Sequence, residues 1–351
     1  MSMTPAPRQD ATSLQSLATA RDALLARLGP IAPEVVALRD ALGLALAERL
    51  TAPAQLPGSA TALRDGVAAP ALDTVGAGPY APAPLPSASA PVRSGEALPH
   101  GCDAVLPPDA VTGEGGRLWA LTQVAPGENA RLPGQDLAAG AGFAEAGWRL
   151  NPVRWALALR CGLAEVRVRR PRVAVAPGAD PDAACSAALL AALLDSDRAV
   201  LRVTEARDAD LVLVPGKVAA GAAGIALVPA ASAGVGVSGN RPAILAPPRP
   251  EATLAVWLGL ARPAIDRLMG ITAMGVADTA GTLARKLVST VGVADLSVLS
   301  RDPFTGDLSA WTPLATGDIP WSALAAADAA LLTDPGSEGA PAGSAVRAML
   351  L

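Results

Sequence analysis

Three short stretches join small residues to charged ones in a pattern that suits ligand chemistry. Pro177-Gly178-Ala179-Asp180 follows one apolar run and precedes another, and Pro215-Gly216-Lys217 follows a third. If each preceding run is a strand, both loops sit at strand carboxyl ends, where open α/β sheets bind ligands. Glycine lets a backbone approach a ligand closely, and lysine brings a point charge for an anion. Neither loop carries G-x-G-x-x-G or the Walker lysine pattern, and Lys217 reads equally as an exposed loop lysine. Arg169-Arg170 could hold phosphate bidentately, or it could form a solvated basic turn between domains, the commoner use. Asp103, Glu128 and Asp136 fall in turn-forming loops that use acidic side chains freely. His100, between Pro99 and Gly101, reads as an exposed turn histidine.

The elements that position these loops follow from apolar spacing. Leu14, Leu17, Leu24, Leu25 and Leu28 recur at helical spacing, with Ser13 as a cap and Gly29-Pro30 as a stop. Val35, Leu38, Leu42 and Leu46 predict a second helix from residue 33 or 34 to about 47. Residues 51–91 are rich in Pro, Gly, Ala and Ser and read as loops with short strands. With strand-like segments in 94–105 and 118–124 they predict a small β-rich unit. Residues 150–162 are helical, with Trp148 and Trp155 expected in the packing. From 172 to 270, strands at 172–176, 209–214, 224–228 and 243–246 alternate with helices at 183–194 and 251–269, the pattern of a mostly parallel sheet. From 273 onward, strands at 296–299 and 329–332 and a turn at 303–306 predict a small β domain. Residues 1–12 read as a disordered tail.

Composition excludes several functions. The formal net charge is −4, which argues against a general nucleic-acid binder. A single histidine and three dispersed cysteines exclude a His- or Cys-rich metal site and fit a reducing cytoplasm. The apolar stretch 183–194, interrupted by Ser186, is too short to span a bilayer, and the polar N-terminus carries no signal-peptide core. Hydrophobic residues reach 51% with aromatics at 3%, so alanine carries the apolar fraction; Lys217 and Lys286 are the only lysines.

Several strings occur in an order that resembles a known family. Residues 34–58 read EVVALRDALGLALAERLTAPAQLPG, 94–105 read SGEALPHGCDAV, and 126–136 read PGENARLPGQD. They are followed by the helix and R-R-P-R-V-A-V of 152–175, and residues 299–332 follow the family's R…G…A-x-P-L…S-x-L-x-x-A-D-G-L order. Together these resemble the molybdopterin molybdenumtransferase family, MoeA and the E domain of gephyrin, over nearly the whole chain from about residue 14. The resemblance implies an α/β multidomain fold: a helical and extended domain I (14–48 plus 130–169), an inserted β-rich domain II (49–129), an α/β domain III (170–271) and a small C-terminal β domain IV (272–351). It also implies a homodimer, or a heterodimer with a related subunit, a molybdoenzyme as a partner, and no nucleic acid or membrane. The family reaction takes adenylylated molybdopterin and molybdate, releases AMP and leaves molybdenum on the dithiolene, with a divalent cation assisting.

Carried onto this chain residue by residue, the resemblance nominates Asp65, Ser94 and Asp180 as catalytic. It nominates Gly66, Gly95, Gln135, Asp136, Gly216, Lys217 and Arg249 for cofactor binding, with no metal ligand. Asp65-Gly66 keeps the family's D-G, and Ser94-Gly95 keeps a hydroxyl in T-G. The family's D-N-S becomes Ala60, Thr61 and Ala62, and the glutamate of G-E-D becomes Gln135. The S-G-G-V-S-V-G-D-Y-D loop becomes 215–224 without its serine and aspartates. The P-G-N-P-V-S loop becomes Pro247-Pro248-Arg249-Pro250-Glu251-Ala252, where Pro248 cannot donate an N–H. The expectation is a molybdenum cofactor biosynthesis protein with impaired transferase chemistry, or a non-catalytic molybdopterin-binding partner; Mg²⁺ is doubtful because alanine offers it no oxygen.

Overall fold

A computed structural model describes residues 14–216, 224–271, 278–301 and 309–351. The described chain divides into two compact units. One holds the residues up to Glu48, Ala146–Leu150 and Val166–Leu351; the other holds Arg49–Glu145 and Asn151–Glu165.

Within the first unit, Leu201–Val203, Arg172–Val175, Leu211–Pro215 and Arg241–Ala246 lie side by side in that order as parallel strands. Gly234–Ser238 closes the edge antiparallel to Arg241–Ala246. Their apolar runs suit strands covered on both faces, and Leu211, Val212 and Leu213 are buried. Parallel neighbours need a crossover. The helix Pro181–Asp195 supplies one, burying Ala183, Leu190 and Leu194.

A second sheet of this unit joins Gln15–Ser16, Ile225–Val228, Ala294–Arg301, Ala310–Thr316, Asp278–Leu283, Ala345–Leu350 and Ala329–Leu332. Ala329–Leu332 also pairs with Ala294–Arg301, so the last five strands close on themselves. Closure removes open edges, and Trp311, Leu299, Leu283 and Leu287 fill the interior. The strands expected at 296–299 and 329–332 are both present. The strand expected at 224–228 forms, but it pairs parallel with Ala294 and Asp295 and does not enter the parallel sheet. A fully buried run announces burial and not its partner. The turn expected at 303–306 and the N-terminal tail lie outside the described residues.

Three helix expectations need correction or refinement. Residues 33–47 form the strands Glu34–Ala37 and Ala45–Leu46 around a 3₁₀ turn. Gly43, at φ 86°, interrupts any helix, and Ala45 and Leu46 pair with Arg169 and Val168. The first helix is Leu17–Leu25, capped by Ser16, whose Oγ accepts from the Thr19 N–H at 3.0 Å. Ser13 lies outside the described residues. The long helix divides into Pro250–Val256, a π turn Trp257–Ala261, and Arg262–Met269, ending at Gly270 in the left-handed conformation. The wider turn precedes Pro263, which lacks the N–H a regular helix would use there.

The other unit is built from short strands. Ala90–Val92, Gly66–Ala69 and Ala104–Leu106 form one sheet; Val111–Glu114, Arg117–Ala120 and Ala83–Pro84 form another. Thr61–Ala62 pairs with Ala130–Arg131, and Leu50–Thr51 with Gly142–Ala144. Its helix, Pro152–Arg160, buries only Ala158. Trp148 is 41% exposed and Trp155 half-buried, so neither is the core residue expected.

Candidate functional site

In the β-rich unit the structure brings Asp65, Gly66, Ser94 and Gly95 together. Gly66 opens the central strand Gly66–Ala69. A Cβ there would lie 2.1 Å from the Leu106 carbonyl oxygen and 2.8 Å from Val105 Cγ1, so only glycine fits. Asp65 precedes it. The Ser94 N–H donates to Asp65 Oδ1 at 2.8 Å, and Ser94 Oγ donates to the Leu63 carbonyl at 3.1 Å. Gly95, at φ 87°, donates its N–H to the Ala62 carbonyl at 2.8 Å. A carboxylate and a hydroxyl from segments far apart in sequence thus share one exposed turn.

Gln135 and Asp136 belong to the same unit, on the segment that follows Ala130–Arg131. Gln135 Oε1 accepts from the Leu132 N–H at 2.8 Å. Asp136 pairs with Arg131 at 3.2 Å, an exposed pair worth little by itself. Sequence reasoning missed Asn129. It adopts φ 55°, and its side-chain amide donates to the Val105 carbonyl at 2.9 Å. The Pro-Gly-Glu-Asn string carries that signal, because asparagine tolerates the left-handed region best after glycine. Cys102, the buried thiol of this unit, is pushed above its ordinary value by burial, and further by Asp103 and Asp73. It is therefore a poor nucleophile. His100 is exposed, as expected.

In the other unit, Asp180, Gly216 and Arg249 follow the carboxyl ends of three adjacent parallel strands. Asp180 caps the helix Pro181–Asp195, Oδ1 accepting from the Ala183 N–H at 2.9 Å. A Cβ on Gly178 would meet the Ala183 and Ala184 backbone at 2.2 Å, so this loop lies directly against the helix. Gly216, at φ 145°, donates its N–H to the Ala246 carbonyl at 2.9 Å. Lys217 lies outside the described residues. The Arg249 guanidinium contacts the Glu251 carboxylate and stands 4.0 Å from Asp318. Arg169 donates Nε to the Ile31 carbonyl at 3.0 Å and Nη1 to the Ala47 carbonyl at 3.3 Å, a structural use in place of phosphate binding.

A cavity of about 730 Å³ in this unit is lined by Lys286, Ser289, Asp295, Thr316 and Asp318 among others. Asp295 is 2% exposed; its Oδ2 accepts from Ser289 Oγ at 2.9 Å and from the Thr290 N–H at 2.7 Å. Asp318, which neighbours Arg249, forms part of the wall. Sequence reasoning passed over this cavity. Its one outward signal is Lys286, one of the chain's two lysines.

The parallel α/β sheet, the closed β-sheet and the separate β-rich unit define a class: the multidomain MoeA-like α/β fold. Solved relatives share it. The molybdopterin biosynthesis moeA protein of Pyrococcus horikoshii OT3 superimposes with a TM-score of 0.77 at 21% identity, over 97% of this chain and 100% of that one. A molybdenum cofactor biosynthesis protein of Pyrococcus furiosus gives 0.61 at 18%, over 96% and 100%. The family model of the MoeA N-terminal region (domain I and II) matches residues 15–162. Molybdopterin molybdenumtransferase 2 of Mycobacterium tuberculosis (strain ATCC 25618 / H37Rv) is 27% identical over 84% of this chain and 89% of that protein. Molybdopterin molybdenumtransferase of Synechococcus elongatus is 28% identical over 44% of this chain and 43% of that protein. The chain is thus similar to MoeA proteins in sequence over most of its length and shares their fold. Among the described residues no helix is long and apolar enough to cross a membrane.

Proposed function

We propose that this chain is a cytoplasmic MoeA-like protein of molybdenum cofactor biosynthesis that binds molybdopterin, with its molybdenum transfer chemistry impaired. The observation that carries the reading is the Asp65–Ser94 turn. The two residues nominated by the family motifs are tied there by a long-range hydrogen bond from the Ser94 backbone N–H to the Asp65 carboxylate. Asp65 holds a negative charge at the turn, and Ser94 Oγ keeps acceptor lone pairs beyond its bond to Leu63. Gly66 and Gly95 shape the backbone around them, and Gln135 and Asp136 extend the polar surface of that unit. Asp180, Gly216 and Arg249 supply an anion-binding edge at the strand carboxyl ends.

Impairment follows from the donor set. Mg²⁺ needs oxygen ligands, and Ala60 and Ala62 offer none. Among the described residues no group of three or more His, Cys, Asp or Glu is placed to hold a metal ion. The residues do not fit a resident Mg²⁺, and no step runs through one. Each lost oxyanion or charge contact is typically worth about 3 kcal/mol of barrier. The second reading, a non-catalytic molybdopterin-binding subunit acting as a homodimer, with a related copy or beside a molybdoenzyme, rests on the same alanines.

The deciding experiment supplies purified protein with adenylylated molybdopterin, Mg²⁺ and molybdate and measures AMP. The expected result is release about 100-fold or more below an ordinary family member, with molybdopterin still binding by titration calorimetry. Release at a normal rate overturns impairment; absence of molybdopterin binding overturns the whole reading.

A further inference from the structure

The loop after the last parallel strand holds a charge arrangement that the family resemblance does not explain. Glu251, the second residue of the helix Pro250–Val256, is 0% exposed. Neither carboxylate oxygen receives a directional hydrogen bond from the described residues. Among the described residues the cation paired with it is Arg249, whose Nη2 contacts Glu251 Oε1. The Arg249 side chain is 56% exposed, so the guanidinium bridges the buried carboxylate and open solvent. On its outer side the exposed Asp318 carboxylate stands 4.0 Å away, on the wall of the cavity.

An ionised carboxylate taken out of water without hydrogen bonds is costly, and removing the single cation beside it is costlier still. Arg249 is therefore held to Glu251. An external phosphate that draws the guanidinium outward leaves the buried charge uncompensated. It also meets Asp318, a like charge, on the way in. We propose that Glu251 is the built-in counter-anion of Arg249: the pair is a latch that closes this strand end to phosphate groups, and a phosphate-bearing ligand gains Arg249 only by displacing Glu251 from it. The inference rests on Arg249 belonging to the anion-binding edge proposed above. It goes further in making Glu251, and not an absent ligand, the residue that sets affinity there.

The test uses the full chain and inorganic phosphate, followed by titration calorimetry. Glu251→Gln keeps the side-chain shape and removes the competing charge; it is expected to bind phosphate at least tenfold more tightly than the wild-type protein. Adding Arg249→Ala to that variant is expected to abolish the gain. No gain in Glu251→Gln, or a gain that survives the loss of Arg249, overturns the latch. A second measurement needs no substitution at Glu251. Wild-type Arg249 is modified with phenylglyoxal and followed by peptide mass spectrometry. The latch expects millimolar phosphate to give Arg249 no protection, and protection overturns it. Neither readout involves molybdopterin, so the molybdopterin titration decides the proposed function separately.

Discussion

At the Asp65–Ser94 turn a carboxylate accepts a backbone N–H from 29 residues away; at Asp180 a carboxylate accepts one from three residues on. The two bonds are nearly equal in length, 2.8 and 2.9 Å. They differ in what they organise. The first brings two segments of the β-rich unit to one turn, so the residues nominated as catalytic meet because of it. The second satisfies an orphan N–H at the start of one helix and would do so whether or not a ligand came to the strand end. Arg249 resembles Asp180 in this respect, since its charge is engaged by a neighbour two residues along. Asp65 and Asn129 of the β-rich unit are tied into long-range structure, while Asp180 and Arg249 at the sheet edge engage neighbours two or three residues along.

Asp65 offers the most forceful way to break this comparison. Asp65→Ala should reduce whatever AMP release the protein shows by about 100-fold, and Asp65→Asn should lose a similar factor while keeping the wild-type Tm. The amide oxygen can still accept from Ser94, but it carries no charge. Equal activity in Asp65→Asn would reduce the carboxylate to a turn-former like Asp180.

Gly66→Ala comes next. The added Cβ has the Leu106 carbonyl oxygen 2.1 Å away, so the strand must shift. A loss of about 2 kcal/mol in denaturant unfolding is expected. An unchanged midpoint would mean that the segment carrying Asp65 is held more loosely than its pairing indicates.

The smallest effect belongs to Asp180. Asp180→Ala should cost about 1 kcal/mol through loss of the helix cap, and Asp180→Ser should recover most of it. If molybdopterin affinity falls in Asp180→Ser at unchanged stability, the aspartate serves the ligand besides the helix, and the contrast between the two regions narrows.

Much of the parallel sheet is legible in the sequence. Residues 172–176, 209–214 and 243–246 are short buried runs flanked by Gly, Pro and Asp, and all appear as strands. The helix at 183–194 was legible too, since Asp180 and Pro181 announce its start. Residues 33–47 misled because their leucines satisfy helical spacing, yet the segment obtains its hydrogen bonds across a sheet. Local periodicity is blind to a partner more than a hundred residues away. Motif order nominated Asp65 and Ser94, and a backbone hydrogen bond between distant segments brings them together. Nothing in the string around Pro250 showed that Glu251 would be buried against Arg249, and nothing near Asp295 showed a cavity.

The amino-acid sequence alone determined the resemblance to the MoeA family, the strand-end loops and the alanines at 60 and 62 where the family has a carboxylate and a hydroxyl. These are properties of residue type and order, which survive in an unfolded chain. Tertiary structure alone decided which sheet takes residues 225–228, that Ser94 meets Asp65, and that Arg249 faces a buried carboxylate. Each of these is a question of which distant group satisfies a hydrogen bond or a charge once water is removed, and only the folded chain chooses that partner.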